Sequence, residues 1–248
     1  MIDGASLSIV RERIENALQH RKHKTISPIE IIAITKGFPP TFIIDAAKLG
    51  LNSIGENRVQ EAEEKFPNLP DLLTIKRRLV GHLQSNKARR AIELFDTIDS
   101  VDSARLAKKL SAIGVGRGVP VEILLQVNVD RDPNKSGFNP ARTDELLESV
   151  ELDGLNVLGL MTIGVFTTDE QSKRETFRAL RNLRDLLNSK LSQSLQLKDL
   201  SMGMSSDYEI AVEEGATMVR IGTALFGPRP KRGCLFILFI LLICMESR

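Results

Sequence analysis

Short apolar runs alternate with amphipathic stretches along most of the chain. Residues 5–20 place Leu7, Val10, Ile14 and Leu18 at helical spacing. Residues 30–35 (EIIAIT) are almost continuously apolar, which predicts a strand buried on both faces. Pro39 and Pro40 then open a turn into a helix over 42–49. The same rhythm predicts strands at 53–55, 79–82, 97–99, 121–129, 157–161, 200–202 and 218–221. Helices are predicted over 57–66, 86–94, 104–113, 142–150 and 207–214. A longer helix carries Phe177, Leu180, Leu183, Leu187 and Leu191 on one face, with Thr168 and Gln171 spaced to cap its start.

Strands that alternate with helices pair in parallel. Eight such units within about 230 residues match a single closed (β/α)8 TIM barrel. An open doubly wound sheet is the alternative, but no G-x-G-x-x-G or G-x-x-x-x-G-K-[ST] turn follows any strand. The barrel is expected over 1–230, with 231–248 as a hydrophobic C-terminal tail outside it. Residues 234–245 (CLFILFILLICM) carry no charge. That run is shorter than the about 20 apolar residues of a membrane span, so a tail is favoured over a membrane anchor.

Composition removes several function classes. The chain has 248 residues, 42% hydrophobic and 27% charged, which excludes intrinsic disorder. Lys plus Arg (34) nearly balances Asp plus Glu (32), so bulk charge gives no reason to expect nucleic acid. With no Trp and one Tyr, there is little surface for stacking bases. Both cysteines, Cys234 and Cys244, lie in the tail, which leaves the body without a disulfide framework, zinc ribbon or cysteine nucleophile. His20 and His23 fall in a basic polar run and are expected to be solvated, so no metal site is expected. No signal peptide opens the chain, and a cytoplasmic location is expected.

In a barrel of this kind chemistry sits at the C-terminal ends of the strands. The polar residues expected there are Lys36, Asn57, His82, Asn128, Thr162, Ser205, Ser206, Arg220, Gly222 and Thr223. Lys36 shares a strand face with Ile32 and Ile34. Its amine either snorkels out of the mouth or sits desolvated, ready to form a Schiff base. Arg220 shares a face with Met218 and Gly222, so its guanidinium needs either an internal ion pair or a ligand. The loops after the seventh and eighth strands often form a phosphate site, and here they carry Ser205-Ser206 and Gly222-Thr223. Together these residues suggest a phosphorylated carbonyl compound. Pyridoxal 5′-phosphate fits, and a Schiff-base aldolase acting on a sugar phosphate fits nearly as well.

Several motifs occur in order across about residues 5–230: AITK (33–36), GENRVQE (55–61), GHLQSNK (81–87), QVN (126–128), KSGF (135–138), GLMT (159–162), SMGMSSD (201–207) and VRIGT (219–223). In these the chain resembles the pyridoxal phosphate homeostasis proteins, which are related to the barrel domain of bacterial alanine racemase. The resemblance implies that Lys36 holds pyridoxal 5′-phosphate as a Schiff base. It implies phosphate contacts from Ser205, Gly222 and Thr223, with Ser206 a weaker candidate, and places Arg220 opposite the pyridine nitrogen. Asn57, His82 and Met202 match positions lining the cofactor pocket. The function implied is a carrier or buffer of the cofactor without established catalysis, with pyridoxal-phosphate-dependent apo-enzymes as receiving partners. The enzyme alternative is an amino-acid racemase. Racemases of this kind add a second domain whose tyrosine acts as the other base; none is expected here after residue 230, and the only tyrosine, Tyr208, lies just past the phosphate loop. The tail beyond about Arg229 departs from the family pattern.

Overall fold

A computed structural model describes residues 4–21, 28–70 and 73–229. After helix α1 (Gly4–His20), strands and helices alternate: β1 (Glu30–Ile34), α2 (Thr41–Lys48), β2 (Ser53–Glu56), α3 (Val59–Lys65), β3 (Lys76–Leu79), α4 (Ala88–Leu94). They continue as β4 (Thr97–Val101), α5 (Ala104–Arg117), β5 (Val121–Gln126), α6 (Thr143–Val150), β6 (Leu155–Met161), α7 (Glu170–Asn188), β7 (Asp199–Met204), α8 (Tyr208–Glu213), β8 (Met218–Ile221) and α9 (Thr223–Phe226). The eight strands form one closed barrel in sequence order, and β1 closes on β8 in parallel register, Ile32 opposite Arg220. This is the (β/α)8 barrel that the alternation predicts, and the open sheet is excluded.

Apolar side chains fall into two layers because successive strand residues face opposite sides. Ile31 and Ala33 pack outward with the helices, whereas Ile32 and Ile34 pack inside the barrel with Val80, Leu124, Met161 and Met218. The inward face of β1 therefore runs Glu30, Ile32, Ile34, and points at Lys36 just beyond the strand end.

The N-terminal end of the interior is ionic. Arg78 is almost fully buried and reaches Glu30 at 3.1 Å and Asp99 at 3.2 Å. Burial works against its charge, but Asp99 and Glu30 together hold its pKa above the ordinary value.

The strand expected at 79–82 instead runs Lys76–Leu79. A Lys-Arg-Arg start carries no apolar signal, and it is stable inside a barrel only because other strands supply carboxylates. β5 stops at Gln126, after which Val127 forms an isolated bridge to Phe138. The cap of α7 is Asp169, which accepts from the Ser172 backbone N–H at 2.8 Å, in place of Thr168. His20 lies on an exposed helix end with its Nδ1 2.9 Å from the Asn16 carbonyl. His23 and the tail with Cys234 and Cys244 lie outside the described residues. No helix among the described residues is long and apolar enough to cross a membrane.

Candidate functional site

A cavity of about 450 Å³ opens at the C-terminal ends of β1, β7 and β8. Lys36, Asn57, Ser205, Ser206, Arg220, Gly222 and Thr223 line it, together with Arg229. Ile34, Val80, Ile163, Phe166 and Met204 supply the apolar wall. No carboxylate, histidine or tyrosine lines it among the described residues. The strand ends thus bring together most of the polar residues singled out from the sequence.

Lys36 sits in the turn two residues beyond the end of β1. Its amine is held below the ordinary lysine pKa, first by burial and then by the positive charges of Arg229 and Arg220. Glu61 and Glu56 oppose that shift without reversing it. The amine is half-buried at the cavity, between the snorkelling and the fully desolvated readings open at the sequence level.

Arg220 is buried inside the barrel. Its Nη1 donates to the Ser201 carbonyl at 2.7 Å and hydroxyl at 2.9 Å, and its Nη2 donates to the Thr162 carbonyl at 2.7 Å. Among the described residues no carboxylate pairs with it directly; Asp99 and Asp207 act only through their fields. Burial pulls its pKa down to about 10, so it remains a cation at neutral pH.

The loops after β7 and β8 are tied together. Ser205 Oγ accepts from the backbone N–H of Gly222 at 3.2 Å and of Ala224 at 3.3 Å. Gly203 makes this turn possible. Its φ is +91°, and a Cβ there would meet the Ala211 Cβ at 2.5 Å. Asp207 Oδ1 accepts from the Met204 N–H at 2.6 Å and fixes the same loop. Ser206 and Thr223 keep exposed side chains at the mouth.

Asn57 also borders a second hollow of about 270 Å³, which shares Val80 and Ile163 with the first. Gly81 lets β3 end against Asn57, since a Cβ there would lie 2.3 Å from the Asn57 carbonyl oxygen. His82 lines this second hollow and not the Lys36 cavity. Its Nδ1 is 2.9 Å from Asp102 Oδ2. Asn128 borders the same hollow, but its amide is spent on the Asp132 and Lys135 carbonyls. Thr162 donates to the Val127 carbonyl and is buried.

Two placements correct the sequence reading: His82, expected at the cofactor pocket, lies at the second hollow, and Met202 lies in the core. Met202 does not line the cavity: it is fully buried in the core between strands and helices. An irregular register between Ser201 and Met204 brings Met204 to the cavity wall instead. Tyr208 packs in the same outer core, against Arg13 of α1, so it does not reach the mouth of the site. Sequence reasoning missed Arg229, which follows the last helix in a stretch without periodicity. It also missed Asp102, because a strand ending at 99 leaves that residue away from the mouth, whereas β4 runs to Val101.

Residues 9–230 match the family described as alanine racemase, N-terminal domain. Alanine racemase of Clostridium difficile superposes with a TM-score of 0.70 at 17% identity, over 89% of this chain and 58% of that one, which shows the fold. The fold and matched domain therefore define an alanine-racemase-type barrel. Nearer relatives narrow this. The pyridoxal phosphate homeostasis protein of Aquifex aeolicus is 39% identical over 90% of this chain and 96% of its own. The human protein of that name is 36% identical over 91% of this chain and 86% of its own. The structure of PipY from Synechococcus elongatus with PLP bound is 38% identical, with a TM-score of 0.76, over 88% of this chain and all of that one. The chain belongs to the pyridoxal phosphate homeostasis protein family.

Proposed function

We propose that this protein binds pyridoxal 5′-phosphate in the Lys36 cavity and carries or buffers it, without turning over a substrate. The observation that carries this reading is one cavity holding a half-buried amine of lowered pKa, hydroxyls from two tied loops and two guanidinium groups, with no carboxylate in its wall among the described residues. Such a wall suits a dianionic phosphate on an aldehyde-bearing ring. PipY, 38% identical, has a structure with PLP bound, and the curated relatives carry the homeostasis name.

When bound, the group supplies an aldehyde that condenses with a primary amine with loss of one water. Lys36 presents that amine, and its lowered pKa leaves more of it unprotonated near neutral pH. Ser205, Ser206, Thr223 and the Gly222 backbone would hold the phosphate, and Arg229 adds charge at the rim. Arg220, fixed by Ser201 and Thr162, would face the ring nitrogen. A permanent cation there disfavours protonating that nitrogen and weakens the ring as an electron sink.

The racemase alternative needs an acid–base group on each face of a bound amino acid. Tyr208 turned toward Arg13 leaves the cavity wall without that second group among the described residues. Pyridoxal-phosphate-dependent apo-enzymes remain the proposed recipients of the cofactor.

The test is to titrate cofactor-free protein with pyridoxal 5′-phosphate, reduce with borohydride and map the modified peptide. Modification at Lys36, abolished in Lys36→Ala, is expected; a different lysine would overturn the assignment. Incubation of loaded protein with L-alanine in deuterated water should give no Lys36-dependent D-alanine. Turnover of about 1 s⁻¹ or faster would establish a racemase instead.

A further inference from the structure

The GENRVQE motif gives the cavity only Asn57, yet it also holds two acids beneath Lys36. Glu56 is fully buried on β2 and Glu61 lies on α3. Between them sits Lys65, the last residue of α3 and itself buried. Its Nζ reaches Glu56 Oε1 at 2.8 Å and Glu61 Oε1 at 2.6 Å.

The three side chains grip the backbone on both sides of Lys36. Lys65 Nζ donates to the Thr35 carbonyl at 2.8 Å, and Thr35 Oγ1 donates to Glu56 Oε1 at 2.7 Å. The backbone N–H of Gly37 donates to Glu61 Oε1 at 2.5 Å. Lys36 itself makes none of these bonds, so its amine stays available to the cavity while both neighbours are fixed.

A buried ion pair is an expensive way to hold a loop, because desolvation offsets much of its attraction. Here Glu56 Oε2 is buried without a hydrogen-bond partner among the described residues, and burial raises the Glu56 pKa despite Lys65. Packing alone would be served as well by apolar residues of similar size. What apolar residues could not do is bond the Thr35 carbonyl and the Gly37 N–H together.

We propose that Lys65, through Glu56 and Glu61, is a positioning residue that fixes the backbone on both sides of Lys36 and thereby sets how firmly the cofactor is retained there. This rests on Lys36 being the cofactor lysine. It predicts that the clamp can be loosened without unfolding the barrel.

The test uses the full chain in three variants. Lys65→Met leaves Glu56 buried without its cation and lowers the Tm, so it cannot by itself separate positioning from stability. Lys65→Met combined with Glu56→Gln removes both charges, which restores the Tm toward the unsubstituted value while the bond to the Thr35 carbonyl stays lost. Glu61→Ala removes the acceptor of Gly37 at a partly exposed position. Two readouts apply: hydrogen exchange of the peptide spanning 35–38 in cofactor-free protein, and the dissociation constant for pyridoxal 5′-phosphate. Faster exchange at 35–38 and affinity weaker by about fivefold or more are expected in the double variant and in Glu61→Ala. Affinity that recovers in step with the Tm, or unchanged exchange at 35–38, overturns the clamp. An unsubstituted chain that takes up no cofactor at Lys36 overturns the reading of function on which the clamp rests.

Discussion

The two ends of the barrel interior treat charge in opposite ways. At the N-terminal end, Arg78 is enclosed by Glu30 and Asp99, and the charges are neutralised within hydrogen-bonding distance. At the C-terminal end, Lys36, Arg220 and Arg229 line one cavity whose wall holds no acid among the described residues. The acids Glu56 and Glu61 lie behind Lys36 and lessen its loss of basicity without restoring it. Arginine is used at both ends, but only at the mouth is its charge left for something the protein does not supply. The complete cluster is explained by the fold; the mouth's surplus positive charge is what the proposed phosphate ligand would meet.

That contrast is broken most sharply at the closed end. Arg78→Met would leave Asp99 fully buried without its main cation. Removing one partner of a buried pair typically destabilises by about 3–5 kcal/mol. Urea unfolding should show a loss of that size. An unchanged midpoint would mean that the cluster is not closed as described.

The two ends also differed in how far they could be read from sequence. The mouth was legible because strand alternation puts Ile32, Ile34 and Lys36 on one face, and the ends of β7 and β8 carry small hydroxyl residues. The closed end was not. The run Lys76-Arg77-Arg78 is a poor strand by any local measure, and its reason lies in Glu30 on β1 and Asp99 on β4, far away in sequence. Met202 was placed at the pocket by resemblance alone; strand alternation puts it outward, opposite in facing to Ser201, which bonds the interior Arg220. Periodicity reports burial well where a strand is regular. It is silent where a bulge or a non-local ion pair decides.

At the open end, the hydroxyls allow the anion to be tested apart from the amine. Replacing Ser205 and Thr223 together with Ala removes donors to a charged acceptor, each contributing roughly 1.5–3 kcal/mol. Affinity for pyridoxal 5′-phosphate should fall by at least about tenfold, while unphosphorylated pyridoxal is little affected. The Ser205 hydroxyl also holds Gly222 and Ala224, so Thr223→Ala alone serves as the control for loop damage. Equal losses for both ligands would point instead to general damage to the pocket, and an unchanged affinity would place the phosphate elsewhere.

The smallest effect, and the one that isolates charge from contact, is a pH shift at Lys36. Its amine is lowered first by burial and then by Arg229 and Arg220, against Glu61 and Glu56. Arg229→Gln removes one positive charge from the rim and leaves burial in place. The Lys36 pKa should therefore rise toward the ordinary lysine value, leaving less unprotonated amine at any given pH. With unphosphorylated pyridoxal, which presents no anion to Arg229, covalent attachment near neutral pH should slow by a few-fold, about the size of a partly screened charge interaction. The pH–rate profile should move to higher pH by the matching amount, and added salt should shrink the difference. The same sign applies to stability. A lysine whose folded pKa lies below its unfolded one opposes folding fully below the folded value, and that opposition is relieved as pH rises from the folded to the unfolded value. Removing Arg229 lessens the opposition, so the variant should be no less stable than the parent on the acid side. A profile that stays in place, or moves to lower pH, would show that burial alone sets the Lys36 amine and that Arg229 at the mouth is not part of its field.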